Sequence, residues 1–195
     1  GYSHHAIDDI GVMRALPGMT IYNPADPIET KIALRASLSC STPKYFRLGK
    51  SGESNIFDKS QSNFPEWSEV WKGDDLLILT SGSIIIEAIE AAQTLKTFGI
   101  NISVVSIPIL KPFTLDKELI KRFKNIIVLE EHSIVGGLGS IILEQVALNG
   151  MNPTIMVLGL PDNVSHELGS QKYLRSFYKI DSANIVVLIK RLLQK

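Results

Sequence analysis

Side chains able to do chemistry gather in three places along the sequence. Near its start, Ser3, His4 and His5 lead into a helical pattern. A neutral imidazole there can take or give a proton near neutral pH and hydrogen-bond a polar ligand. The pair flows straight into that pattern and is read as native rather than as the remnant of a tag. Ser3 lacks the flanking glycines of a nucleophile elbow, so it is not assigned as a nucleophile. Farther on, Glu130-Glu131-His132 closes an apolar run at the carboxyl end of a predicted strand, the position open α/β sheets favour for ligands. No further histidine or cysteine stands at zinc-like spacing, and no metal site is expected. Gly136-Gly137-Leu138-Gly139 then separates that strand from a helix, where free amides and the helix dipole favour an anion. It matches neither G-x-G-x-x-G nor the Walker pattern with its lysine, and it reads as a tight structural turn.

The elements that must hold these residues follow from periodicity. Ile10, Val12, Met13 and Leu16 recur at helical spacing from Asp8 to Leu16, ahead of Pro17 and Gly18. A short strand is predicted at Thr20 to Tyr22. Asp26-Pro27-Ile28-Glu29 is a helix start, with Asp26 accepting free amides, Pro27 at the first helical position and Glu29 bonding back to the cap. That helix runs to about Ser39 and a strand at Lys44 to Leu48 follows. Residues 49–75 turn to Ser, Gly, Asn, Asp and Lys, a surface excursion on which Phe64, Trp67, Val70 and Trp71 serve as packing anchors. From residue 76 strands alternate with helices: strands at 76–80, 102–107, 125–130 and 154–158, helices at 83–98, 115–123, 138–147 and 185–193. Such alternation requires crossovers, so the fold class is α/β, a mostly parallel open sheet covered by helices and preceded by a partial α/β domain.

Composition narrows the function. In 195 residues, 20 Lys and Arg balance 20 Asp and Glu, and no basic block could neutralise a run of phosphates, which argues against a nucleic-acid partner. Apolar runs such as Leu76 to Leu79 fall far short of the roughly 20 residues that cross a bilayer, so no membrane partner is expected. The single cysteine, Cys40, excludes an internal disulfide and suits the reducing cytoplasm. The opening GYSHHAIDD carries neither an initiator methionine nor a signal-peptide pattern, and the chain is expected to be part of something longer.

Taken together, GYSHHAIDDIGVMRALPGMTIYNPADPIET, TPKYFRLGK, LLILTSGS, LEEHSIVGGLGS, GLPD and ELGS resemble, in order, the C-terminal section of the thiamine-diphosphate-dependent transketolase family. The resemblance implies that residues 1–66 are the rear of a pyrimidine-binding domain, 67–73 a linker, and 74–195 the family's C-terminal domain. Gly1-Tyr2-Ser3-His4-His5 stands where the family has Gly-Pro-Thr-His-Gln, departing at Tyr2 and His5. His4 thus matches the histidine that contacts donor sugar hydroxyls, with His5 beside it. Lys50 is matched to an arginine that holds the substrate phosphate, a point charge replacing a bidentate fork.

The resemblance further implies thiamine diphosphate and Mg2+ in the complete enzyme, a sugar phosphate substrate and transfer of a two-carbon ketol unit. It places the groups that activate the cofactor upstream, so no cofactor-binding residue is assigned in this chain. The missing N-terminal section, or a separate subunit, would supply them. A homodimer is expected, and the isolated chain is expected neither to hold the cofactor tightly nor to turn over. Two alternatives stay open: a section like the beta subunit of a 2-oxo acid dehydrogenase, and a non-catalytic dimerisation or assembly module.

Overall fold

The computed structural model describes residues 7–49, 55–58, 66–163 and 167–193. The first section holds α1 (Asp9–Ala15), β1 (Thr20–Tyr22), α2 (Pro27–Ser37) and β2 (Lys44–Phe46). The second holds β3 (Ser68–Trp71), β4 (Leu76–Thr80), α3 (Ile85–Lys96), β5 (Ile102–Ser106), β6 (Ile109–Lys111) and α4 (Lys117–Lys121). It continues with β7 (Asn125–Ser133), α5 (Leu138–Leu148), β8 (Thr154–Leu160), α6 (Gln171–Phe177) and α7 (Ser182–Leu192).

The larger sheet has the order β3-β5-β4-β7-β8. Its neighbours from β5 to β8 are all parallel, and β3 alone runs antiparallel at the edge. β4 shows why both faces need cover. All five of its residues are buried, and alternate side chains enter different cores. Leu76 and Ile78 pack with Ala88, Ala91 and Leu95 of α3 and with Ile185 and Ile189 of α7. Leu77 and Leu79 pack with Leu119 of α4 and with Ile141 and Ile142 of α5. Each such fully buried aliphatic side chain contributes about 2 kcal/mol.

The expected α/β class is therefore observed, with three differences of detail. Residues 68–71, inside the stretch expected to be a linker, form β3, and its last residue Trp71 and the preceding Trp67 anchor opposite cores. β6 pairs antiparallel with β1, so the smaller sheet, β2-β1-β6, takes one strand from the second section. α6 lies where periodicity predicts no helix, although Ser170 caps it by accepting the Tyr173 amide at 3.2 Å. The α2 start forms as expected at Asp26, whose Oδ1 accepts the Glu29 amide at 2.7 Å. Glu29 reaches one residue farther back than the predicted cap bond, accepting the Ala25 amide at 2.6 Å. Asp26 Oδ2 also accepts the amides of Ile56 and Phe57, fastening part of the excursion to this corner.

The order of the larger sheet reverses at β4. The chain leaves β4 through α3 to β5 on one side and reaches β7 on the other. A crevice therefore opens beyond the carboxyl ends of β4 and β7, the place where open α/β sheets bind ligands.

Candidate functional site

A cleft of about 730 Å³ occupies that crevice. Ser81, Gly82 and Ser83 after β4, Glu131 near the end of β7, and Arg175 of α6 form its wall on the second section. Ile7, Asp9, Asn23 and the stretch from Tyr45 to Gly49 form the facing wall on the first. His4, His5 and Lys50 lie outside the described residues. The segments that lead to them do not: Ile7 and Gly49 both line this one cleft.

On the first-section wall, Arg47 follows directly from β2. Its Nε donates to both Asp9 carboxylate oxygens, at 3.1 and 3.2 Å, and its Nη2 donates to the Glu131 carbonyl at 3.0 Å. The Tyr45 hydroxyl donates to Asp9 Oδ2 at 2.7 Å. Burial, reinforced by that bond to a carboxylate, pushes the Tyr45 hydroxyl up to about 12, so it remains a donor. One guanidinium thus joins the first turn of α1, the end of β2 and the end of β7.

On the opposite wall, Arg175 bonds the Glu131 carboxylate through Nε at 3.1 Å and Nη2 at 2.7 Å, the bidentate geometry that guanidinium favours. Its Nη1 reaches Glu87 at 3.3 Å and its Nη2 the Ser83 hydroxyl at 3.2 Å. Burial opposes the charge on Arg175, but Glu131 and Glu87 outweigh it and hold its proton more firmly than usual. Both lining guanidinium groups are therefore already paired with carboxylates of the chain itself.

The acidic triplet does not act as one ligand set. Strand alternation turns Glu131 into the cleft while Glu130 and His132 turn inward. Glu130 accepts the amides of Leu138 at 2.7 Å and Gly139 at 3.1 Å, the free donors at the start of α5. Burial raises its carboxyl to about 7, against the pull of those two amides. The anion favoured at the glycine turn is thus the chain's own side chain, and a Cβ on Gly137 would overlap it. His132 Nδ1 must carry a hydrogen, because its neighbour at 2.7 Å is the Ser133 carbonyl. Its Nε2 is then the acceptor for the Ile10 amide at 3.2 Å. Burial is the main force lowering the pKa of this imidazole, which keeps it neutral.

Sequence reading locates the end of β7 but misses Asp9, Arg47 and Arg175. Arg47 has one available signal, its place directly after a strand on the site side. Asp9 reads only as part of an acidic helix, and Arg175 has no local signal.

The architecture and its cleft define a class: a parallel α/β domain with a ligand crevice at its reversal point, closed by a partial second sheet. Residues 66–185 match the transketolase C-terminal domain and residues 1–52 the transketolase pyrimidine binding domain, and the chain belongs to the transketolase family. It is 32% identical over 199 residues to a putative transketolase C-terminal section of Methanocaldococcus jannaschii, covering 100% of this chain and 61% of that protein. It is 32% identical over 187 residues to an apulose-4-phosphate transketolase subunit of Actinobacillus succinogenes, covering 94% of this chain and 60% of that one. A solved split-gene transketolase, described as an inactive beta4 tetramer, superposes with a TM-score of 0.83 at 29% identity. That superposition covers 98% of this chain and 62% of the solved one, so the chain spans about three-fifths of these relatives.

Proposed function

We propose that the chain is the C-terminal section of a transketolase-like enzyme that moves a two-carbon ketol unit between sugar phosphates. In this reading residues 1–66 belong to the pyrimidine-binding domain and residues 74–195 form the C-terminal domain, with β3, inside the stretch 67–73 between them, joining the edge of its sheet. His4 contacts the donor sugar and holds or moves a proton, His5 adds a contact beside it, and Lys50 attracts the phosphate. The observation that supports it is the convergence on one cleft of Ile7 and Gly49, which lead to the histidine pair and to Lys50 from positions some forty residues apart.

Thiamine diphosphate, when bound, supplies the electron sink for breaking a bond beside a carbonyl. The described residues do not fit its diphosphate and Mg2+. The amides at the start of α5 are taken by Glu130, and no group of three metal-ligating side chains is found among the described residues. The holding groups are therefore assigned to another section or polypeptide, a reading favoured by relatives named as a C-terminal section and as one subunit of a transketolase. The same reading leaves the isolated chain inactive, pairs it as a homodimer in the complete enzyme, and places it in the cytoplasm, where the exposed Cys40 thiol stays reduced.

The test is His4→Ala in the complete enzyme, assayed with a ketose phosphate and with a 2-oxo acid. Ketol transfer by the unaltered enzyme, with turnover lowered at least about tenfold by the substitution and cofactor affinity kept, supports the assignment. Unchanged turnover removes His4 from the site, and products formed only from the 2-oxo acid transfer the chain to the dehydrogenase reading.

A further inference from the structure

We propose that His132 is a positioning residue for the first-section wall of the cleft, capping α1 from the other section and so fixing Ile7 and Asp9, which line the cleft just after the histidine pair in the sequence. The inference rests on the functional reading above. A helix leaves its first amides without internal partners, and they need caps. The cap residue of α1, Asp8, makes no side-chain cap bond. The second section provides what α1 lacks: the Ile10 amide, in its first turn, donates to His132 Nε2 at 3.2 Å.

The neighbouring residue completes the grip. The Ser133 amide donates to the Ile7 carbonyl at 2.6 Å, so the chain on both sides of Asp8 is tied to two consecutive residues at the end of β7. Ile7 is two residues from His5 and three from His4. The imidazole cannot easily turn, because the Ser133 carbonyl holds Nδ1–H at 2.7 Å and so aims Nε2 at the helix. The contact extends along α1, where Arg14 Nη1 donates to the Gly136 carbonyl at 3.1 Å. His132 is only 1% exposed and touches no open part of the cleft, so its effect on chemistry is exerted through Ile10. Misplacing a substrate-contacting group by about 1 Å can lower rate on the order of a hundredfold, which makes such a grip consequential.

Two substitutions in the complete, cofactor-loaded enzyme separate positioning from bulk. In His132→Gln the side-chain oxygen can take the place of Nε2 and accept the Ile10 amide. His132→Asn reproduces the Nδ1 side alone and leaves that amide without an acceptor. The expected result for the Asn variant is kcat lowered about tenfold or more, with KM and cofactor affinity within about threefold, while the Gln variant keeps kcat within about threefold. Equal loss in both, or wild-type kcat in the Asn variant, overturns the proposal. Amide hydrogen exchange gives a readout independent of activity: Ile10 should be protected in the wild type and in the Gln variant, and exchange faster in the Asn variant. An unprotected wild-type Ile10 overturns the clamp even if the Asn variant fails to fold. Absence of ketol transfer by the wild type overturns the functional reading instead, and exchange then decides the clamp alone.

Discussion

Gly136, in the turn before α5, and Gly11 of α1 meet backbone to backbone: a Cβ on Gly136 would stand 2.9 Å from the Gly11 Cα, and one on Gly11 would stand 3.4 Å from the Gly136 Cα. The two sections touch there with no room for a side chain on the Gly136 side. Gly136 also has φ near +80°, a conformation that favours glycine. Gly136→Ala should therefore lower stability by about 2 kcal/mol. Gly11→Ala meets ordinary contact and gains helix propensity, so it should stay within about 1 kcal/mol of the wild type. Urea unfolding midpoints compare the two, and equal losses would contradict this account of the joint.

One residue on, the constraint comes from a side chain. A Cβ on Gly137 would overlap Glu130 Oε2 and stand 2.7 Å from His132 Nδ1. Gly137→Ala should push the Glu130 carboxyl off the Leu138 and Gly139 amides, leaving buried donors unpaired at a cost of about 3 kcal/mol. A thermal melt and the exchange rates of those two amides check it. Retained protection at both would show that Glu130 does not cap α5.

What the sequence makes legible is local. The uniformly apolar run at β4, the Asp26-Pro27 helix start and the glycine turn before α5 each carry their cause within a few residues. β3 and β6 escape because they are four and three residues long and owe their form to distant partners; β6 pairs with β1 almost ninety positions earlier. The candidate site divides in the same way. The end of β7 is recognisable as a ligand-facing position, but the sequence does not show which partners its residues meet. Arg175 becomes the neighbour of Glu131 only when α6 packs beside β7, Glu130 meets the α5 amides only when the glycine turn folds back on β7, and the Ile10 amide reaches His132 only when the two sections pack.

Arg175 offers a prediction of that tertiary kind. It is nearly buried, and removing it leaves the carboxylates of Glu131 and Glu87 facing each other across the space it filled. Arg175→Met should cost about 3 kcal/mol, since breaking one side of a buried ion pair leaves charge uncompensated. Arg175→Lys keeps the charge but loses the fork, and should fall about midway between the methionine variant and the wild type. Denaturant unfolding measures both. A methionine variant as stable as the wild type would mean that solvent in the cleft screens these carboxylates.

Glu29 ties stability to pH. It is 3% exposed, and burial, with a smaller push from Asp26, raises its carboxyl from 4.5 to about 7 despite the bonds from the Ala25 amide and the Ser106 hydroxyl. A carboxyl whose folded value lies above its unfolded one binds its proton more tightly in the native state. Its contribution is then complete below about pH 4.5 and is lost as pH rises through about 7. Glu29→Gln keeps the shape without the titration. The stability difference, variant minus wild type, should climb in favour of glutamine by up to about 3 kcal/mol between pH 4.5 and 8. Taking the difference cancels the parallel titration of Glu130 and the opposite one of His132, whose lowered value makes its contribution fall away on acidification below its ordinary 6.5. Unfolding midpoints across this range read the slope directly. A flat difference would mean that Glu29 ionises in the folded protein as it does in water, and that its two hydrogen bonds fully offset its burial.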